Sequence, residues 1–488
     1  MKRNLIVVVD YGTSNVRVNA IDTDNGEIAY SYAKKYLVKE KGKGYAEISA
    51  EHLWTYSEEC MKEVMQQICH EDEPRAIAFS FFGDNLLAVD ENGNALTDCI
   101  LCTDPRGTEE IRYINEKIPP EEQKSIIGDW YSHHLKVGAK ILWIKNNLPE
   151  IAEKTVYWDS QQQYIFRKLG LRGALDYTMA ARKQLLDMQS LEWSGRFLET
   201  LGITSKFLGT DVIASGDIVG MIDAYGSVKF KAPLPVIAGA HDCDVGMIGM
   251  GLLDDRLDFV GDITGTYDHV GYLTRRVVNL AVEHPELPLG SYNGPLKDST
   301  ICLGAFPTAG ATLEWFMRDI HEGTGPADYR RYWDHVKFDG QGTVMVHPTL
   351  DSNRGKVEGI GVGTTKEDLF RAVIEAITFE NRRLIEDCEK GKQGELRHVR
   401  IGGGAANSDE WLQLRADISG KTIDRMKNIQ VSSVGAAVLA ATQVGIFATL
   451  EDAVEHMVHV QDVFTPRKEV YQKYEKKYCE YLDRMGYK

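Results

Sequence analysis

The chain lacks what would place it in a membrane, on nucleic acid or around a structural zinc ion. Near its start, only five apolar residues, Leu5 to Val9, run uninterrupted after Met1-Lys2-Arg3-Asn4. That is too short for a signal peptide or a membrane span, so a cytoplasmic protein with no membrane partner is expected. Positive charge is in deficit, with 56 Lys and Arg against 72 Asp and Glu and a net charge of −16. This balance argues against nonspecific binding to nucleic acid or anionic lipid, while leaving room for a phosphorylated ligand held by local donors. The eight cysteines are scattered. Cys99-x-x-Cys102 has no second pair to complete a zinc site, and reduced, buried thiols are expected. No GxxxxGK[ST] loop and no GxGxxG turn follows a strand-like run, which disfavours P-loop and Rossmann folds. No low-complexity segment or short tandem repeat is found.

What is present is ordinary globular composition, 43% apolar and 26% charged, over 488 residues. That length exceeds what one core usually serves, so two domains are expected. Strand-like and helix-like segments alternate, as in an α/β protein. Leu5–Val9, Val16–Ile21, Ala76–Phe82 and Leu86–Asp90 read as strands, the first buried on both faces. Helices are expected over Glu51–Ile68, with Ser49 as a cap, and over Ala139–Asn147, Gln161–Leu169, Val434–Ala441 and the charged tail beyond Arg467. The pattern restarts after His241-Asp242, which divides the chain into residues 1–247 and 248–488. Each half opens with a strand followed by a Gly/Thr turn.

Those turns carry the chemistry. Asp10 ends the first strand beside Tyr11-Gly12-Thr13-Ser14-Asn15, a hairpin rich in N–H and hydroxyl donors. Such a hairpin can hold a phosphate, and the acid can hold the hydrated Mg2+ beside it. Gly265-Thr266 and Gly402-Gly403-Gly404 follow later strand-like runs, so facing loops can clamp a nucleoside triphosphate while the third lies along adenine. Asp242, between the halves, suits a base that takes a proton from an attacking hydroxyl. Its neighbour Asp244 suits a helix cap. His241, Asp104 and Arg106 are candidates for substrate hydroxyls, set against a structural histidine and a solvated loop ion pair. His133 and His134 are expected on the surface.

At these residues the chain resembles the FGGY family of carbohydrate kinases, in the actin-like ATPase superfamily. Asp10-Tyr11-Gly12-Thr13-Ser14-Asn15-Val16-Arg17 is similar to its first phosphate motif. Gly239-Ala240-His241-Asp242 is similar to the segment of its catalytic aspartate, and Thr264-Gly265-Thr266 to its second phosphate loop. Gly310-Ala311-Thr312-Leu313-Glu314-Trp315 resembles a segment near the nucleotide. Gly402-Gly403-Gly404-Ala405-Ala406-Asn407-Ser408, with Trp411, Gln413, Ala416 and Asp417, resembles the adenosine motif, and Gly435-Ala436-Ala437 the helix behind it. The resemblance implies two actin-like (ribonuclease H-like) domains around a central cleft, with sugar mainly in the first and ATP-Mg2+ mainly in the second. It implies Asp242 as the base and Asp10 on Mg2+ through water. It places Gly12, Thr13, Ser14, Asn15, Arg17, Gly265, Thr266, Gly310, Gly403, Gly404, Ala405 and Asn407 around ATP. It places Phe82, Gly83, Asp84, Asp104, Arg106, His241 and Asp242 around sugar. Two departures stand out. Gln430 replaces a frequent glutamate, and Ser80-Phe81-Phe82-Gly83-Asp84 lacks the Gln and His of a xylulose kinase sugar loop. Phe82-Gly83 and His241-Asp242 look more like kinases of fuculose and rhamnulose, so a 6-deoxy-hexulose is the expected substrate. A xylulose, ribulose or other polyol kinase is the alternative, and a sugar sensor with the same fold is the non-enzymatic one. A homodimer is expected.

Overall fold

The computed structural model describes residues 3–41, 44–131, 133, 135–209, 211–265, 267–348 and 355–487. The first half is built on β1 (Arg3–Tyr11), β2 (Asn15–Asp22), β3 (Ile28–Lys35), α1 (Ala50–Gln67), β4 (Asp72–Phe81), β5 (Ile218–Tyr225), β6 (Val228–Ile237) and α2 (Asp242–Gly249). Its seven-stranded sheet runs β5-β6-β4-β1-β2-β3, with Ala240–His241 also paired to β4. β1 is antiparallel to β2 and parallel to β4. Between β4 and β5 lies a layer of shorter helices, including Val137–Asn147, Gln161–Lys168 and Tyr177–Arg182.

The second half repeats this plan with β7 (Phe259–Thr264), β8 (Asp268–Thr274), β9 (Gly290–Asn293), β10 (Thr300–Phe306), α3 (Lys366–Lys392), β11 (His398–Gly403), α4 (Asp409–Ser419), β12 (Thr422–Met426), α5 (Val431–Gln443), β13 (Val460–Phe464) and α6 (Lys468–Met485). Its sheet runs β9-β10-β8-β7-β11-β12-β13. β7 is antiparallel to β8 and parallel to β11, so β7 stands where β1 stands in the first half. Both sheets have the actin-like arrangement of an antiparallel meander, three strands in the first half and four in the second, extended by two parallel strands and closed by an antiparallel edge strand. Among the described residues no helix is long and apolar enough to cross a membrane.

The expectation that β1 is buried on both faces has a specific basis. Leu5 to Val9 are each 0% exposed. Leu5, Val7 and Val9 point into the core that α1 covers, while Ile6 and Val8 point into the core that also holds Val245 of α2 and Val434 and Val438 of α5. Side chains alternate across a strand, so one apolar run serves two cores. The two halves thus share a hydrophobic floor.

The floor is sealed where α2 crosses α5. A Cβ on Gly249 would lie 1.9 Å from Val431 O, and one on Gly435 would lie 1.9 Å from Val245 O. Only glycine lets the backbones approach this closely. The helix containing Gly435 therefore does more than lie behind an adenosine loop. It packs on β1 and β4 of the first half. α1 begins at Ala50 beside Ser49 as expected, but Ser49 makes no side-chain cap bond.

Candidate functional site

α2 starts where the chain turns from the short strand Ala240–His241 into a helix. The turn is pinned from behind. Asp176 caps the helix Tyr177–Arg182 by accepting from Thr178 N at 2.9 Å and from Met179 N. Thr178 Oγ1 then accepts from His241 N at 2.8 Å. Arg182 forms a buried ion pair with Asp244 at 2.9 Å. Asp244 Oδ2 lies 3.3 Å from His241 Nδ1, and His241 Nε2 lies 3.4 Å from Asp242 Oδ1. The His241 imidazole thus stands between two carboxylates. Burial and Arg182 push its pKa down, but Asp244 and Asp242 outweigh them and raise it. Burial pushes Asp244 up, but Arg182 and His241 outweigh it and hold its carboxyl low. This corrects the expectation for Asp244, which is the partner of a buried arginine and no helix cap. Asp242 keeps 31% of its side chain exposed. His269 abuts the same helix, its Nδ1 3.4 Å from Cys243 Sγ. Burial and the charges of His241 and Arg182 hold its pKa down at about 3, so this imidazole is neutral.

Asp10, at the end of β1, pairs in register with Ser80 and Arg17. Burial raises its pKa, and the charge of Asp242 adds to the rise. Ser433 of α5 donates to Asp10 at 3.3 Å and accepts from Asn19 at 2.9 Å. Gln430, at the position of the family's frequent glutamate, accepts from Asn19 at 2.8 Å. The start of α5 is therefore latched to β1 and β2 of the other half. The hairpin after Asp10 is closed by Gly12 N donating to Asn15 O at 2.9 Å. Thr13 and Ser14 are exposed at its tip, and Gly12, Asn15 and Arg17 are half-buried.

In the second half Thr264 joins the two other glycine loops. Its Oγ1 donates to Gly402 O at 3.0 Å and accepts from Ala405 N at 2.8 Å. Gly310 N donates to Gly265 O at 3.2 Å. Thr264, Gly265, Gly310, Gly404, Ala405 and Asn407 line one cavity of about 770 Å³, whose wall includes Tyr329, Trp333 and Trp411. Three neighbouring glycines differ in role. Gly403 has φ +87° and a Cβ there would lie 2.0 Å from Thr264 O, so it is fixed by the fold. A Cβ on Gly404 would meet no heavy atom within 4 Å, so a side chain would project into open space beside the cavity. Gly402 backs onto Val431. Thr266 lies outside the described residues, as does His134; His133 is exposed.

The expected sugar residues divide. Gly83 is buried against the His241 ring, where a Cβ would lie 2.5 Å from it. Asp84 accepts a hydrogen bond from Gln184. Asp84 and Gln184 both have positive φ, 54° and 52°, a strained backbone concentrated beside the proposed base. Phe82 differs from expectation. It is 2% exposed and packs in the first-half core, because the chain breaks the alternation of β4 just past Phe81, where Phe82 N donates to Tyr11 O, and the ring joins Phe79 and Phe81 on the same side. Asp104 and Arg106 also differ. Asp104 is fully buried and accepts from Ala46 N, Arg106 N and the Arg106 guanidinium. Arg106 also pairs with Glu47 at 2.8 Å and lies over the Tyr45 and Trp143 rings. With these partners the pair braces its own loop.

Sequence reasoning missed Arg182, Gln184, Tyr292 and the Asp262–Arg415–Asp268 cluster. Tyr292, from the second half, lies over the Arg182 guanidinium at 3.9 Å and donates to Asp129 at 3.2 Å. Arg415 bridges Asp262 at 2.5 Å and Asp268 at 2.7 Å beneath the Thr264 hairpin. Asp262 and Asp268 flank the Gly265 turn, but Arg182, Gln184, Tyr292 and Arg415 sit in no glycine-rich turn, and their partners are distant in sequence.

A model of the FGGY family of carbohydrate kinases, N-terminal domain, matches residues 5–249, and the C-terminal domain model of that family matches residues 289–444. The xylulose kinase of Staphylococcus epidermidis is 26% identical, covering 99% of this chain and 96% of its own. The xylulose kinase of Bacillus subtilis is 27% identical, with 96% and 94% covered. Among solved structures, a ligand-bound xylulose kinase from Lactobacillus acidophilus superposes with a TM-score of 0.86 at 22% identity, covering 99% of this chain and 98% of its own. A gluconate kinase from Lactobacillus acidophilus gives 0.85 at 21%, with the same coverage.

Proposed function

The chain belongs to the FGGY family of carbohydrate kinases and is an ATP-dependent sugar kinase, and from that premise we propose that its acceptor is a ketopentose of the xylulose class. The observation that supports sugar phosphorylation at this site is the junction of the two halves, while the acceptor class rests on the xylulose kinase relatives. A partly exposed acid, Asp242, stands at a helix start between a strained sugar-side pair and the end of β1. The 6-deoxy-hexulose expectation is not carried forward. Its argument needed the Phe82 ring against a methyl group, and that ring is in the core. The full-length relatives named above are xylulose kinases.

In this reading Asp242 accepts the proton of the attacking hydroxyl, within hydrogen-bond reach once sugar is bound. His241, fixed by Asp244 and by Thr178, orients Asp242. Asp84 and Gln184 offer hydrogen bonds to the sugar hydroxyls. The adenosine moiety lies along Gly404 and Ala405 against Trp333 and Tyr329, and the Thr13–Ser14 and Gly265 hairpins donate to the phosphates. Asp10 offers the hard oxygen donor that Mg2+ prefers, usually with waters between. When bound, the ion neutralises charge on the phosphates during transfer. Division of the chain near residue 247 makes the α2–α5 crossing the hinge of cleft closure, which excludes water from the γ-phosphoryl.

The test is a coupled ADP-release assay over D-xylulose, L-ribulose, L-fuculose, L-rhamnulose, glycerol and gluconate. D-xylulose or L-ribulose should give the highest kcat/KM. Asp242→Asn should then lower kcat about 10²–10⁴-fold with sugar binding kept. A deoxy-sugar preference would overturn the substrate class. Near-normal kcat in a folded Asp242→Asn protein would overturn the base.

A further inference from the structure

The strand-to-helix turn that presents Asp242 also gathers three metal-binding side chains from three consecutive residues. His241 is the last extended residue, with φ −56° and ψ 134°, and Asp242 and Cys243 open α2. Neighbouring side chains diverge along a strand or helix, but at this bend they converge. One donor atom each from His241, Asp242 and Cys243 falls within 4.8 Å of the other two. We propose that these three residues bind a borderline-soft divalent cation of the Zn2+ type, and that the bound ion withdraws Asp242 from proton transfer.

The geometry suits such an ion. Zn2+ takes N, O and S donors at about 2.0–2.3 Å in a tetrahedron, which sets donor-to-donor edges near 3.3–3.6 Å. His241 Nε2 and Asp242 Oδ1 already lie 3.4 Å apart. The fourth position of the tetrahedron is left to water. The support behind the donors also fits. A ligating histidine is normally oriented by a carboxylate at its other nitrogen. Here Asp244 occupies that place at 3.3 Å and is itself held by Arg182. Access runs past Asp242, the one member of the trio with substantial exposure. The donor set separates this position from Asp10. Thiolate and imidazole favour Zn2+, whereas Mg2+ favours oxygen and retains water. As the Zn–N and Zn–S bonds form, the proton on His241 Nε2 and the Cys243 thiol proton both leave to solvent. Asp242 and the resulting thiolate together balance the charge of the ion.

The inhibitory half of the proposal rests on Asp242 being the base, but binding itself does not. Chelator-treated full-length protein, without sugar or nucleotide, is titrated with Co2+ as a spectroscopic probe. One equivalent should give a sulfur-to-cobalt charge-transfer band and the strong visible absorption of four-coordinate Co2+, both removed by Zn2+. Cys243→Ser should abolish the charge-transfer band and raise the Zn2+ Kd at least ~10-fold, the lower end of what changes behind the ligands alone produce. Cys69→Ser with Cys479→Ser, at the two exposed thiols, should leave the band intact. A second prediction is that micromolar Zn2+ lowers Mg2+-supported sugar phosphorylation in the wild-type protein. No sulfur band at stoichiometric Co2+, or a band that survives in Cys243→Ser, overturns the site. Binding through Cys243 with undiminished turnover overturns the inhibition. A protein that binds Co2+ this way yet phosphorylates no sugar would instead overturn the kinase reading alone.

Discussion

At the residue scale, chemically identical glycines do different work, and the difference is measurable. Gly404→Val places its side chain in open space, so the fold should hold while the nucleotide meets a new obstacle. The KM for ATP should rise at least ~10-fold, the KM for sugar should change little, and Tm should stay within a few degrees of wild type, as surface substitutions usually allow. Gly403→Ala should do the reverse and lower Tm, because its Cβ would collide with Thr264 O and its φ is left-handed. Equal ATP kinetics in Gly404→Val would remove adenosine from this loop. Asp10 carries a second expectation. Burial and the nearby Asp242 charge raise its pKa, so it gains its proton at a higher pH than an ordinary carboxylate. Protonated Asp10 cannot hold a cation, so activity should fall on acidification earlier than a free aspartate would predict. Raising Mg2+ should move that acid limb to lower pH. An acid limb indifferent to Mg2+ would separate Asp10 from the metal. By linkage, the raised pKa also means that Asp10 favours the folded state most below its unfolded pKa and loses that contribution as pH rises through the folded value.

At the element scale, the crossing of α2 and α5 is the most exacting contact in the fold. Gly435→Ala would force a methyl group to 1.9 Å from Val245 O, a backbone atom with no rotamer to yield. Overpacking of this kind costs about 1–3 kcal/mol. Lower Tm together with lower kcat is the expected result by calorimetry and steady-state assay. An unchanged Tm would mean that the helices part easily. The elements also show what the sequence could and could not reveal. β1, the hairpin after Asp10 and the repeated strand-plus-turn at β7 were legible because a buried strand and a tight turn leave local signatures. The bounds of α5 were not, since Val431–Ser433 precede its apolar stretch and are helical through contact with β1 and β2. The run Gln161–Gln163 reads as polar, yet all three side chains are buried. Gln162 bonds to Asp176 and Ala238 O, and Gln163 to Leu208 O, partners supplied only by tertiary structure. Phe82 and Asp104 misled for the same reason. Their residue types suit a sugar, but the fold supplies other neighbours first.

At the scale of the whole molecule, the two halves meet along a floor and along a rim. The floor is the shared core under β1, α2 and α5. The rim joins the helical layer of the first half to the start of the second. Asn279 Nδ2 donates to Lys124 O and Asn293 Nδ2 to Met188 O, each at 2.8 Å, and Tyr292 reaches Asp129. A hydrophobic floor with a polar rim is what a hinged cleft requires, since the rim can exchange its hydrogen bonds with water while the floor stays closed. Tyr292 gives the rim its link to chemistry, because its ring lies on Arg182, which holds Asp244 behind His241. In the proposed reading, closure would reach Asp242 through Tyr292, Arg182, Asp244 and His241. Asn279→Ala combined with Asn293→Ala removes two rim hydrogen bonds, each worth about 0.5–1.5 kcal/mol net. Together they should shift the closing equilibrium toward the open form by about 5–150-fold, since 1.4 kcal/mol is tenfold. The double variant should show a larger radius of gyration by small-angle scattering with sugar and nucleotide bound. It should also show a raised KM for sugar and a larger share of ATP hydrolysed without sugar phosphorylation, because water is no longer excluded. If scattering and coupling both match the wild-type protein, the rim does not control closure, and the hinge must be governed from the α2–α5 floor alone.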